Sequence, residues 1–380
     1  MDWTTQLQQL SRLAPELITH LGVGSLRFLR GPPALIELAR LHAASTLVRA
    51  PDGALTGAEL VSRALPLAIA LRSRGLRPGI RAITALGSCT EQWIVAAAVG
   101  AAGGTWLPVG AGLAPEVLHR LVERSGARFV FSGDSTPAAP VVAAASPGVQ
   151  DWIGIDDTPG FVPLELLQDE GRALLAAGTG LCPSLVIECR TRGTRGAPRI
   201  VPSVGPAGLP ALLGVLRILT PTAADRLHLG VPLYRPSALA IAMVFLWVGA
   251  TIDTGEGQQA TVAIRSADAL GRLVDFGASR AMIAVGGPVP PEARAAWAAR
   301  GGAPLHLAYG SAETGLCAWL RPADAAADPR ATGLALPGIE LAVRDEIVYA
   351  RRMPAGSWLT AGDRGRLEGE RLVITGRGDR

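Results

Sequence analysis

The stretch APLHLAYGSAETG, Ala303–Gly315, decides the fold. Its first half is an apolar run of strand length. At Gly310 it gives way to small and polar residues, the pattern of a buried strand ending in a loop. Upstream, PEARAAWAAR (Pro291–Arg300) reads as a helix and RAMIAVGG (Arg280–Gly287) as a second buried strand closed by glycines. Further back come the strand RLHLGVPL (Arg226–Leu233), the helix Ser237–Gly249, the helix GLPALLGVLRIL (Gly208–Leu219) and the strand SLVIEC (Ser184–Cys189).

The same alternation runs through the first part of the chain. TGAELVSRALPLAIALRSRGL (Thr56–Leu76) reads as an amphipathic helix, opened by Thr56 with Glu59 three residues on, a capping-box pattern. IRAITAL (Ile80–Leu86) reads as a buried strand, and EQWIVAAAVGAAGG (Glu91–Gly104) as a helix ending in glycines. PEVLHRLVERSGARFVFSG (Pro115–Gly133) repeats helix then strand. The Ala-, Pro- and Gly-rich region Pro137–Pro163 is expected to be a surface connection. Beyond Pro337, short alternating strands follow: IELAVRD, EIVYA and GRLEGERLVITGR. The expected class is layered α/β with a small β-rich part.

Composition narrows the chemistry. At 380 residues with 49% hydrophobic content, the chain can bury one large domain or two or three subdomains. Net charge is only +4, and no basic run carries interleaved aromatics, so nucleic acid is not an expected partner. The sequence contains no lysine, so every basic residue other than histidine is arginine and no step can use a lysine amine of this chain. Cys89, Cys182, Cys189 and Cys317 show neither CxxC spacing nor an accompanying histidine cluster. That argues against a disulfide framework or structural zinc and fits a reducing cytoplasm. MDWTTQLQQLSRL lacks the form of a signal peptide. Ser237–Ile252 is apolar but short for a membrane span, and reads as a buried core helix.

Four ordered pieces carry a resemblance: the glycine loop CRTRGTRGAPRIV (Cys189–Val201), AYGSAETG (Ala308–Gly315), ATGLALPGIELAVRD (Ala331–Asp345) and TAGDRGRLEGERLVITGRGD (Thr360–Asp379). In this order they resemble the adenylate-forming (AMP-binding) superfamily, which includes acyl- and aryl-CoA ligases, luciferases and peptide-synthetase adenylation domains. The stretch Asp225–Ile252 is similar to the fatty-acyl-CoA ligase branch. The resemblance spans about Leu35 to Arg380. It implies the large N-terminal domain of that fold, two αβαβα-type layered subdomains plus a small β-rich subdomain. The expected boundaries are 1–160, 161–336 and 337–380, the last ending at a hinge, with the mobile C-terminal domain of about 100 residues absent.

The resemblance also implies site residues. Tyr309 matches the aromatic that stacks on adenine, and Gly310, Ser311 and Ala312 match the backbone lining the nucleotide. Glu313 matches the acid that holds Mg²⁺ near the phosphates, and Gly286 and Gly287 match the pair beside adenine and the acyl pocket. Asp363 matches the carboxylate gripping both ribose hydroxyls, and Arg377 the arginine just before the hinge. A flat aromatic offers stacking area at low entropic cost, and a fixed carboxylate suits two adjacent hydroxyl donors. ATP or AMP with Mg²⁺ is thus the implied ligand set, CoA a further one, and a small carboxylic acid or acyl-adenylate the implied substrate. A carrier protein or companion chain is an implied partner.

The pattern departs from the family in two places. The family loop is rich in Ser and Thr, whereas the simplest alignment gives Thr191, Arg192, Gly193, Thr194, Arg195, Gly196, Ala197, Pro198 and Arg199. A rival alignment of Arg195–Arg199 implies a two-residue deletion instead. Arginine can fill the pyrophosphate volume, or it can clamp an anion at two points. In PLYRPSAL, Arg235 stands where the family commonly has histidine near the acyl carboxylate. Three readings stay open: a noncanonical acyl-CoA ligase-like enzyme with Glu313, Arg199 and Arg235 in catalysis, an ATP-independent acyl transferase, and a non-catalytic nucleotide- or acyl-binding protein.

Overall fold

A computed structural model describes residues 34–175, 186–190, 200–202, 209–257, 259–272, 279–353 and 356–377. The chain divides into two compact units, one of them Pro33–Pro202 and the other containing Ser203–Arg380.

The first unit runs α1 Leu35–Leu41, β1 Thr46–Ala50, β2 Gly53–Thr56, α2 Gly57–Ser73, β3 Arg81–Ala85, α3 Thr90–Ala102, β4 Thr105–Pro108, α4 Pro115–Ser125 and β5 Phe129–Ser132. It continues with α5 Ala139–Ala145, β6 Asp151–Gly154, β7 Val162–Pro163, α6 Leu164–Leu175, β8 Val186–Arg190 and β9 Ile200–Pro202. Its seven-stranded sheet has the order β7-β6-β5-β3-β4-β8-β9, parallel except for the β8–β9 pair. β1 and β2 form an antiparallel hairpin.

Local sequence explains the helices. The expected capping box is present at α2: the Glu59 amide donates to Thr56 Oγ1 at 3.2 Å, and the Thr56 amide to the Glu59 carboxylate at 2.7 Å. Such a cap stabilises a helix start by about 1 kcal/mol. α3 is apolar all round, is buried along nearly its whole length, and stops at Gly103 in the left-handed conformation (φ 83°). Ile83, Leu107, Leu118, Val122 and Val130 form a core between the sheet and α4.

The region Pro137–Pro163 is not the surface connection expected. It contains α5, β6 and β7; Val142 and Ile153 are buried, and β6 pairs in parallel with β5 from Phe129↔Asp151 to Ser132↔Gly154. Its strand is only four residues long, too short for periodicity to reveal.

The second unit runs α7 Leu209–Leu219, β10 Arg226–Leu229, α8 Pro236–Trp247, β11 Thr251–Asp253, β12 Val262–Ser266, a 3₁₀ turn Ala267–Arg272, β13 Ala281–Val285, α9 Pro291–Ala299, β14 Leu305–Ser311 and β15 Gly315–Leu320. Then follow α10 Pro322–Ala327, β16 Gly333–Ala335, β17 Ile339–Arg344, β18 Ile347–Arg352, β19 Asp363–Glu368 and β20 Arg371–Arg377. Within this unit the strands lie in the order β17-β18-β19-β20-β16-β15-β14-β13-β12-β10-β11. The stretch from β11 to β14 is parallel, and every pair from β14 onward is antiparallel. Strands β17–β20 therefore continue this sheet, joined through β16 and β20 at Gly333↔Leu372.

α8 is buried from Ala238 to Trp247, as the sequence suggested for a core helix. Among the described residues, no helix is long and apolar enough to cross a membrane. The starts of the parallel strands are clamped by Asp225, which accepts from Arg280 Nε at 2.9 Å, Arg280 Nη2 at 3.0 Å and Thr261 Oγ1 at 2.6 Å. Burial opposes its charge, but these donors win and hold the carboxyl below its ordinary value.

Candidate functional site

The motif Ala308–Gly315 forms the turn between β14 and β15, as its apolar-then-polar pattern implied. Tyr309 lies near the end of β14 and packs against Ala318, Val348 and Leu372. A bulge follows between Tyr309 and Gly310. A Cβ on Gly310 would meet the carbonyl oxygen of Gly315 at 2.1 Å, so only glycine lets the two strands approach here.

The turn is locked by a reciprocal pair of bonds. The Ser311 amide donates to Thr314 Oγ1 at 3.1 Å, and the Thr314 amide donates to Ser311 Oγ at 3.1 Å. Gly315 closes the turn at φ 67°, in the left-handed region a short hairpin loop requires. Glu313 sits half-buried at the tip, without a hydrogen-bond or ion-pair partner among the described residues.

Asp363 reaches this turn from β19. The Gly362 amide donates to Thr360 Oγ1 at 2.8 Å, and that hydroxyl donates to the Val348 carbonyl at 2.6 Å, fixing the corner before the strand. The Tyr309 hydroxyl donates to Asp363 Oδ2 at 3.0 Å, and Arg377 lies 3.5 Å from Asp363 Oδ1. Asp363 and Arg377 are directly opposed partners on β19 and β20. Burial pushes the Tyr309 phenol far above its ordinary value, so it acts as a neutral donor. Three residues expected to share the nucleoside are therefore in contact, although 54 positions separate Tyr309 from Asp363.

Gly286 and Gly287 follow β13 at its C-terminal end and are exposed, Gly286 with φ 82°. In a parallel sheet, ligands gather outside the C-terminal ends of the strands. Arg235 caps the N-terminus of α8 through its backbone carbonyl, which accepts from the Leu239 amide at 3.0 Å. Its Nε is buried with no hydrogen-bond partner among the described residues. α8 packs against β14 and β15, but no described contact joins Arg235 to the Tyr309–Asp363 pair.

The phosphate-loop residues Thr191, Arg192, Gly193, Thr194, Arg195, Gly196 and Arg199 lie outside the described residues. So do His20, Cys182 and the N-terminal segment. β8 and β9, which flank the loop in sequence, pair antiparallel at Cys189↔Val201 and Arg190↔Ile200.

Three supporting residues escaped sequence reasoning. Thr314 locks the turn, Thr360 sets the corner before Asp363, and the buried Cys317 thiol donates to the Tyr309 carbonyl at 3.6 Å. Only Thr314 left a trace, its spacing of three from Ser311. His306, on β14, is buried. Trp319 Nε1 donates to His306 Nδ1 at 3.0 Å, and burial, then the charges of Arg280 and Arg321, lower its pKa to about 4.

The pair fits a nucleoside: the Asp363 carboxylate, held between Tyr309 and Arg377, offers two oxygens that can accept from adjacent hydroxyls. For Mg²⁺ the fit is looser. The described residues hold no group of three or more His, Cys, Asp or Glu that could hold a metal ion, and Glu313 offers one uncommitted carboxylate. Magnesium bound to phosphates commonly takes just one or two carboxylates from the protein.

The family model described as "AMP-binding enzyme" matches residues 37–200 and 213–356. Asp363 and Arg377 lie beyond the matched residues. A Rhodopseudomonas palustris structure named for a long-chain-fatty-acid CoA ligase superposes with TM-score 0.76 at 21% identity, over 90% of this chain and 99% of its own. The anthranilate CoA ligase AuaEII, in complex with anthranoyl-AMP, superposes with TM-score 0.76 at 18% identity, over 90% of this chain and 77% of its own. At that identity the likeness is one of fold. Malformin synthetase mlfA of Aspergillus sclerotiicarbonarius is 36% identical over 100 residues, 25% of this chain and 2% of that much longer protein.

Proposed function

The chain belongs to the AMP-binding enzyme family, and from that premise we propose that it activates a carboxylic acid, fatty or aryl, as its acyl-adenylate. A carboxylate oxygen of the acid attacks the α-phosphorus of ATP, the bond to the β-phosphate oxygen breaks, and pyrophosphate leaves. CoA or a carrier protein then accepts the acyl group on its thiol, and AMP leaves.

The observation that carries this reading is the Asp363 carboxylate, held between the Tyr309 hydroxyl and Arg377. On this reading Tyr309 stacks on adenine, its hydroxyl yields Asp363 to the ribose hydroxyls, and Gly286, Gly287 and Gly310–Ala312 line the nucleotide. Glu313 would hold Mg²⁺, which supplies charge neutralisation at the phosphates. Arg235, whose buried Nε has no partner among the described residues, would hold the acid's carboxylate. Thr191, Gly193, Thr194, Gly196 and Arg199 would face the phosphates. Arginines at 192 and 195 make this a noncanonical member with a degenerate phosphate loop, working in the cytoplasm. Pyrophosphate–ATP exchange across a panel of fatty and aryl acids tests the proposal. Exchange above the no-acid background with at least one acid is expected, and none with any acid would refute it for this chain.

The same arginines favour a second reading, in which a preformed anionic or activated acyl donor binds and transfer proceeds without ATP. Calorimetry separates the two, because saturable ATP·Mg²⁺ binding is expected only under the first.

A further inference from the structure

The C-terminal end of α2 borders a solvent-facing cleft of about 480 Å³, and arginines 74, 77 and 128 stand in its wall. They are held differently. Arg74 is neutralised in place, 2.8 Å from the Glu170 carboxylate and 3.2 Å from Asp151. Arg128 is held by a neutral group, donating from Nη2 to Gln150 Oε1, while Gln150 Nε2 donates to the Arg74 carbonyl at 2.7 Å. Arg77 has no side-chain partner among the described residues.

An arginine fixed by an amide rather than a carboxylate keeps its whole charge for something else. Beside it Gly75 turns at φ 96°, a backbone conformation that favours glycine. Both nearby carboxylates pair with Arg74 rather than with Arg77 or Arg128, and the three arginines and two carboxylates together leave a net charge of +1. The other arginine–carboxylate pairs of this unit are closed, as Arg63 with Glu91 and Arg81 with Glu188.

We propose that this cleft is a binding site for a phosphate group, gripped by Arg77 and Arg128 with Arg74 as its fixed wall. Arg77 and Arg128 line the same cleft, and their forked guanidiniums suit the several oxygens of a tetrahedral anion. None of these residues takes part in the proposed adenylate chemistry, so the site stands independently of that reading.

Isothermal titration calorimetry on the full chain tests it, with inorganic phosphate, pyrophosphate and glycerol phosphate as separate titrants and chloride at matched ionic strength as control. Saturable one-to-one binding of inorganic phosphate is expected. Tighter binding of pyrophosphate or of the monoester, lost in the arginine variants, identifies which phosphate source the site favours. The double variant Arg77→Ala/Arg128→Ala should weaken binding at least about tenfold, the usual loss for a charge-assisted contact. The reversal Arg77→Glu should do likewise. Arg77 and Arg128 are exposed, so both variants should fold, as unchanged thermal melts would verify. Heats indistinguishable from chloride, or wild-type affinity in both arginine variants, would overturn the proposal.

Discussion

Replacing Asp363 by alanine removes the acceptor of the Tyr309 hydroxyl, 3.0 Å away, and the partner of Arg377, 3.5 Å away. Tyr309 packs against Ala318, Val348 and Leu372, so its orphaned hydroxyl is poorly placed to recover a bond from water. An unsatisfied buried donor costs about 1–3 kcal/mol. The Arg377 side chain is 47% exposed, and its pair contributes about 0–1 kcal/mol. The expected loss is about 2 kcal/mol, or a melting temperature lower by about 4–8 °C in a unit of this size. In a Tyr309→Phe background no hydroxyl is left to orphan, so Asp363→Ala should then cost less than about 1 kcal/mol. Urea denaturation of the four proteins of this cycle gives the coupling energy. AMP calorimetry on the same set reads the binding side. Losing two hydrogen bonds to a charged acceptor should weaken AMP binding about a hundredfold or more in Asp363→Ala, and Tyr309→Phe should stay within about tenfold of wild type. An equal cost of Asp363→Ala in both backgrounds would refute the coupling, and wild-type AMP affinity in Asp363→Ala would refute the ribose role.

Gly310→Ala should destabilise the chain by about 1–3 kcal/mol and lower AMP affinity, because its Cβ would meet backbone atoms of β15 that cannot rotate away; a chemical melt checks this. Glu313→Gln should leave the melting temperature within about 1 °C, having no partner to lose, while reducing pyrophosphate exchange; a matched fall in stability would contradict it. Because the folded-state pKa of His306 lies near 4, below its ordinary 6.5, the unfolded chain binds the extra proton first. Stability should therefore fall as pH drops from about 6.5 toward 4 and lose nothing more to this group below that. His306→Gln, which keeps an acceptor for Trp319, should flatten part of that slope in urea melts, and an unchanged slope would remove His306 as its source.

Much of the fold was legible because its signals are local. Thr56 and Glu59 announce the start of α2 within one helical turn, and the unbroken apolar run of α8 announces its burial. The order of the motifs pointed to the family without any contact being known. Legibility ended where a segment's meaning depends on a distant partner. β6 looked like loop because four residues acquire strand character only beside β5. Thr360 and Cys317 are unremarkable in sequence, and they matter because a carbonyl of another strand lies within reach of each.

The sequence by itself determined the longer helices and strands, such as α2, α8 and β14, and which residue types stand ready for nucleotide chemistry. Each of these depends on neighbours a few positions away. Only the tertiary structure decided that Asp363 meets Tyr309, that Arg377 closes the same carboxylate, and that Arg77 and Arg128 share one cleft. Strand order and register bring β14 and β19 together through β15, β16 and β20. That arrangement follows from the pairing of all these strands at once, a property no single stretch of the chain possesses.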